Sequence, residues 1–301
     1  MITLHRLAAF FALFILLQQT VSAHSEGDQV PVPTTAPADT NLRILSWNIY
    51  MLPPIVARKG KRERARAIVQ ELRKDSFDVI VFQEAFLKAA RRIIGTGLQD
   101  KFPYQFGPAN LEAKGGTVTN SGVWVLSKIP MTQLNTIRFK DCATWDCYSR
   151  KGAMLLEGEW NGKKFQLLGT HLQADGYDAI RQRQMDQIYQ ELLTTYKKDS
   201  VPQIICGDMN TEHEMKEYYC SMLECLDAED GSTDGVQKYS YDGQENDIAL
   251  SQGGKGRTTL DYILLRNNGV KIRSVKRMIN VLKKGKRQLS DHYGIICEVK
   301  F

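Results

Sequence analysis

The chain has 301 residues, of which 43% are hydrophobic and 25% charged. That balance belongs to a globular protein and excludes a wholly disordered chain or a coiled coil. The net charge is +6, and the excess is concentrated between Lys271 and Arg287, where no acid interrupts the Lys and Arg residues. Such a stretch suits phosphates, on a lipid surface or on nucleic acid, and equally suits a solvated basic face.

The chain opens with a positive Arg6, an apolar run Leu7–Leu17 and the small residues Val21-Ser22-Ala23. This order predicts a secretory signal over 1–23, cleaved near Ala23; an uncleaved anchor is the alternative reading. Residues 24–40 are rich in Pro, Thr and Ala and lack periodicity, which predicts a disordered leader. The remainder, 41–301, reads as one catalytic domain. Export would put the protein outside the cell or in the periplasm and would permit disulfides. Cys142 with Cys147 and Cys220 with Cys225 are the two expected local pairs, while Cys206 and Cys297 sit in apolar strand patterns and read as buried thiols.

In chain order, 42–47 predicts a strand, 61–73 a basic amphipathic helix, 77–82 a buried strand, 84–98 a helix and 121–126 a strand. Asn161-Gly162 between two β-rich runs is a type I′ hairpin signal. Residues 178–196 have helical spacing, 203–206 form a short strand ending at Gly207, and 260–265, 270–275 and 293–299 read as strands. Hairpins mixed with helices predict an α/β (α+β) fold of two packed mixed sheets with helices outside.

Polar residues recur where these strands end: Asn48, Glu84, His171, Asp208, Asn210, Asp261, Asp291 and His292. Singly, each has an ordinary explanation as a turn residue, a helix cap or a satisfied core histidine. Together, carboxylates and amides without thiolates suit a hard cation such as Mg²⁺. Histidines beside them suit proton transfer near neutral pH, and a metal with a histidine base can drive water onto a phosphodiester.

The ordered set WNxY, QE, GTH, GDMN, LDY, SDH resembles the endonuclease/exonuclease/phosphatase superfamily from about Asn48 to His292. The resemblance implies a four-layer, deoxyribonuclease I-like sandwich. Within it, Asn48–Leu52, Ser149-Arg150-Lys151-Gly152 and Tyr239–Asp242 with Asn246–Ala249 are similar to secreted bacterial sphingomyelinases of the β-toxin type. That likeness implies a phospholipase C-type phosphodiesterase releasing phosphocholine and ceramide, with Mg²⁺ as cofactor and Mn²⁺ or Co²⁺ as substitutes. Carried over position by position, Glu84, Asn48, Asp208 and Asp291 would serve the metal. His292 would be the base, oriented by Asp261; Asp208 and Asn210 would position water and phosphate; His171 would stabilise the phosphorane or protonate the leaving group; Lys151 would contact substrate phosphate.

One departure is that 278–287 is short, basic and free of aromatics where the toxins carry a long aromatic hairpin. Membrane contact would instead fall to Met51–Val56 and to Trp145 and Tyr148, with local packing as the bland alternative. The expected partner is sphingomyelin or a related phospholipid at a membrane surface, acted on by a monomer, and not nucleic acid. A secreted nuclease of the same superfamily, a phosphodiesterase for another lipid, and a non-catalytic binding protein are the competing readings.

Overall fold

The computed structural model describes residues 41–53, 60–111, 119–270, 272 and 274–301. The expected signal peptide and leader fall outside these residues, as do 54–56 of the apolar run and Lys271 and Arg273 of the basic stretch. No helix among the described residues is long and apolar enough to cross a membrane.

The elements run β1 (Leu42–Asn48), α1 (Lys61–Leu72), β2 (Val79–Gln83), α2 (Lys88–Gly97), β3 (Tyr104–Phe106), β4 (Trp124–Ser127) and β5 (Met131–Arg138). A 3₁₀ turn at Thr144–Tyr148 precedes β6 (Gly152–Trp160), β7 (Lys163–His171) and α3 (Asp178–Ile188), which continues as a π-helical stretch, Tyr189–Thr194. Then come β8 (Gln203–Asp208), α4 (Lys216–Leu226), β9 (Glu229–Asp230), β10 (Ser232–Asp234), β11 (Tyr241–Asp242) and α5 (Asp247–Ser251). The chain closes with β12 (Arg257–Thr258), β13 (Asp261–Arg266), β14 (Ser274–Asn280), β15 (Lys283–Lys284), β16 (Arg287–Gln288) and β17 (Gly294–Lys300).

Two mixed sheets dominate. One has the order β10-β14-β17-β1-β2-β4-β3, the other β5-β6-β7-β8-β13-β9. Their strands alternate between two buried faces, so they read as near-continuous apolar runs such as Val79-Ile80-Val81-Phe82. One face of the first sheet, with Leu45, Trp47, Ile80 and Phe82, packs on Ala65, Ile68 and Leu72 of α1 and on Ala90 and Ile94 of α2. One face of the second, with Leu155, Leu168, Ile205 and Leu264, packs on Met185 and Ile188 of α3 and on Met222 and Leu226 of α4. The remaining faces meet each other. Gly169 of β7 comes so close to Val81 and Val125 of the first sheet that an added Cβ would lie 3.0 Å from Val81. Helix, sheet, sheet and helix make the expected four layers.

Several boundaries differ from expectation. The helix expected from 84 begins only at Lys88, because Glu84 takes a left-handed backbone, φ 52, and turns the chain away. The strand expected over 270–275 lies at Ser274–Asn280; Asn268 and Gly269 both have positive φ, and the turn they form carries the chain past Val270 before pairing with β17 begins. Cys142 and Cys147 are joined as expected, whereas Cys220 and Cys225 are free thiols. Both lie on α4, and five residues of helix separate side chains by roughly 140° and 7.5 Å along the axis. Cys225 instead donates to Asp186 Oδ1 at 3.2 Å. Cys206 and Cys297 are buried free thiols, as read.

Candidate active site

The ends of β1, β2, β7 and β8 and the starts of β13 and β17 share one edge of the sandwich. Register enforces this within each sheet: Asn48 pairs with Gln83, and Asp208 pairs with both His171 and Asp261. Between sheets, the Asn48 amide makes the link, donating to Glu84 Oε1 at 3.2 Å and to Asp208 Oδ2 at 3.0 Å.

Glu84 follows β2 at a turn closed by Ala85 N–H donating to the Gly122 carbonyl at 2.9 Å. Gly122, φ 76, approaches so closely that a Cβ there would sit 2.8 Å from the Phe86 ring and 3.1 Å from Glu84 Cα. Only glycine tolerates both conditions. The other carboxylate oxygen of Glu84, Oε2, is buried without a partner. Burial, reinforced by Asp291, pushes the Glu84 carboxyl up to about 7. An oxygen-donor set of Glu84, Asn48 and Asp208 with an orphaned carboxylate oxygen fits a hard divalent cation, which would supply the missing partner and reverse that shift. Asp291, also buried, accepts from Ser290 Oγ at 3.1 Å and from Gln252 Nε2 at 3.3 Å. Asp208, Asp261 and His292 also lie close enough to surround one ion. The 2.7 Å contact between His292 Nδ1 and Asp261 Oδ2, however, has the form of an orienting dyad.

In that dyad the His292 Nδ1–H donates to Asp261, leaving Nε2 3.8 Å from Asp208 Oδ2. Burial works against a charged His292, yet Asp261 and Asp208 overcome it and raise its pKa well above the ordinary value. Ser240 Oγ fixes the strand start by accepting from the Leu260 and Asp261 N–H groups, and the Tyr241 ring meets His292 edge-on at 5.3 Å.

His171 is different. Burial, aided by Lys151, lowers its pKa to about 4, so it is neutral at pH 7. Its Nε2 faces Lys151 Nζ at 3.1 Å and Asp208 at 3.6 Å, and its Nδ1 has no partner. Lys151 is itself buried and held by Asp146 Oδ2 at 2.8 Å and the Leu172 carbonyl at 2.8 Å. Asn210 donates its side-chain amide to the Leu172 carbonyl at 3.1 Å, and its backbone N–H donates to Asp208 Oδ1 at 3.0 Å.

Asp146 belongs to the site without a sequence motif of its own. It lies between Cys142 and Cys147, in a loop from which only Trp145 and Tyr148 were singled out. Its signal was its place in a cross-linked loop just ahead of Lys151, too weak without the fold. Ser240 and Tyr241 belong to a stretch that carried resemblance without a role.

A cavity of about 730 Å³ opens at this edge, lined by Glu84, Asp146, Lys151 and His171 and, toward solvent, by Pro53 and Trp145. Trp145 is 83% exposed and Tyr148 52%, their rings 5.8 Å apart. Of the apolar run 51–56, Met51 is buried in the core, which removes it from any bilayer contact; Leu52 and Pro53 are half-buried. Lys283, Lys284, Lys286 and Arg287 are exposed on the short β15–β16 hairpin, but Arg277 is buried against Asp230 and is not part of a basic surface.

The pattern of the endonuclease/exonuclease/phosphatase family matches residues 45–292. The chain is 30% identical over 251 residues to a sphingomyelinase C of Leptospira interrogans, covering 76% of this chain and 45% of that protein. It is also 30% identical over 248 residues to a phospholipase C of Staphylococcus aureus, covering 75% and 73%. It thus spans about half the length of the Leptospira relative and most of the staphylococcal one. Among solved structures, sphingomyelinase C from Streptomyces griseocarneus superposes with a TM-score of 0.77 at 25% identity, covering 86% of this chain and 99% of that one. A β-toxin from Staphylococcus aureus with bound magnesium ions shares the fold, TM-score 0.77 at 24% identity over 86% and 99%. Matched along the span that holds every strand-end residue of the site, the chain belongs to the endonuclease/exonuclease/phosphatase family.

Proposed function

We propose that the protein is an exported Mg²⁺-dependent phospholipase C-type phosphodiesterase that hydrolyses sphingomyelin to ceramide and phosphocholine. The single observation that carries the reading is the convergence of Glu84, Asn48 and Asp208 with the His292–Asp261 dyad at one edge of the sandwich, beside a cavity that Glu84 and His171 line. The relatives named for this activity point to the same substrate class.

Glu84, Asn48, Asp208 and Asp291 would hold the cation, which supplies neutralisation of charge on the phosphoryl oxygens and the leaving alkoxide. His292, held in the Nδ1–H tautomer by Asp261, would take a proton from the attacking water at Nε2 once a cation held by Asp208 offsets that carboxylate and brings the raised His292 pKa back down. The water oxygen bonds to phosphorus, the bond from phosphorus to the ceramide oxygen breaks, and the leaving alkoxide takes a proton from solvent while His292 returns the one it took to solvent. Neutral His171, with a free Nδ1, is suited to donate a hydrogen bond to a phosphoryl oxygen. Its depressed pKa fits that role better than proton delivery. Lys151 is a fixed cation against the other ring nitrogen, Nε2, where it holds His171 in the tautomer that carries its proton on Nδ1, and Asn210 holds the loop that orients Asp208.

Trp145 and Tyr148, exposed at the cavity mouth, would lie at the bilayer interface, where aromatic rings with a polar edge partition well. Residues 41–301 would act as one catalytic unit after cleavage near Ala23, as a monomer.

The test is a panel of lipids with different head groups, and duplex DNA beside them, assayed with Mg²⁺ and with EDTA. Phosphocholine release from sphingomyelin that stops in EDTA and returns with Mg²⁺ is expected. DNA cleavage without lipid turnover would replace this reading by the nuclease one.

A further inference from the structure

Helices α1 and α2 lie side by side on the outside of the first sheet. Between them runs a groove of about 790 Å³ lined by Arg62, Arg66, Lys88 and Arg92 over a floor that includes Leu87 and Ile93. The four cations are exposed, and none of their side chains has a hydrogen bond or ion pair among the described residues. Neighbouring cations on the same helices are committed to structure. Lys61 donates to the Leu52 and Pro53 carbonyls, Arg64 to those of Ile49 and Leu289, Arg91 to those of Ala85 and Phe86, and Arg73 pairs with Asp100. Glu63, the acid in the first turn of α1, lines a different cleft.

Both helices begin next to residues of the catalytic cavity, where the Leu87 N–H donates to the Met51 carbonyl at 3.0 Å. Leu52, Pro53, Glu84 and Phe86 line that cavity. The first two are tied to Lys61 at the start of α1, and the last two lead directly into α2. We propose that the groove between α1 and α2 docks the anionic phospholipid head groups of the membrane that carries the substrate, through Arg62, Arg66, Lys88 and Arg92. The proposal rests on the reading that the substrate is a bilayer lipid. Charge complementarity selects an anionic partner. The apolar floor selects a lipid over a nucleic acid, because Leu87 and Ile93 offer a duplex backbone nothing, while the glycerol and upper acyl carbons beneath a phosphate can cover them. Such docking would hold the cavity mouth against the bilayer without consuming the zwitterionic substrate itself.

Full-length wild type and R66Q/R92Q are sedimented with vesicles of phosphatidylcholine alone or with about one-fifth phosphatidylserine, at low and high salt. The wild type is expected to prefer the anionic vesicles and to lose that preference at high salt. The variant should bind them roughly 25-fold more weakly, about fivefold per charge removed. Both side chains are exposed and unpaired, so the thermal unfolding curve should not move; R62Q/K88Q is the parallel variant should it do so. Equal binding of wild type to both vesicle types, or variant binding within about twofold of wild type, would overturn the proposal. So would a short DNA duplex that displaces anionic vesicles from the wild type, since that assigns the groove to nucleic acid. Turnover of sphingomyelin in neutral detergent micelles is measured alongside and should be the same in both proteins. If neither protein turns over micellar substrate while vesicle binding still depends on these charges, the catalytic reading fails and the docking surface stands.

Discussion

Glu84 has one carboxylate oxygen bonded to Asn48 and the other buried without a partner, and its carboxyl is pushed from 4.5 to about 7. In metal-free protein the folded state therefore binds this proton more tightly than the unfolded chain between those two values. Stability from this group is present below about pH 4.5 and lost as pH rises to about 7. Glu84→Gln keeps the shape and removes the charge. In EDTA above pH 7 it should be more stable than wild type, by up to roughly 3 kcal/mol, with the gap vanishing near pH 4.5. Saturating Mg²⁺ should stabilise the wild type alone, while turnover in the variant falls roughly 10³-fold or more. Superimposable unfolding curves in EDTA across pH would contradict the assignment of Glu84 to the cation. Asp146 raises a separate expectation. Burial opposes its ionisation, yet Lys151 and His171 hold its carboxyl below the ordinary range, and it fixes Lys151 beside His171. Asp146→Asn should cut kcat/KM roughly 10- to 100-fold, mostly in kcat, and also lower stability by about 3 kcal/mol, because buried Lys151 loses its counter-charge. An effect confined to stability would leave Asp146 a scaffold residue only.

Short-range chemistry made some elements readable. Asn161 and Gly162, both at positive φ, form the two-residue connection between β6 and β7 that their dipeptide announces. Where pairing partners lie far away, reading was weaker. The start of α2 was misplaced because a left-handed Glu84 is set by contacts with Gly122, which is remote in sequence. The pairing of Cys220 with Cys225 failed because a helix continues through both. Alkylation with mass spectrometry tests this element directly. The folded protein should label fastest at exposed Cys220. Cys206 and Cys297 should react only on unfolding, and the Cys142–Cys147 pair only after reduction. A native protein lacking a reactive thiol at Cys220 would restore the disulfide.

At the scale of the whole molecule, the amino-acid order by itself determined the alternation of apolar strands with amphipathic helices, the polar residue at each strand end, and the local cross-link at Cys142. These follow from interactions between near neighbours, or from periods of two and 3.6 residues that any fold must respect. Tertiary structure alone decided which strand ends meet. Asn48 bonds to Asp208 only because two sheets pack face to face, and Asp261 orients His292 only because β13 and β17 begin at the same edge. It likewise decided that Met51 is buried, that Asp146 reaches Lys151, and that four arginines and lysines of two helices share one groove. Burial and the distances between remote charges depend on packing in three dimensions, and no local sequence pattern encodes them.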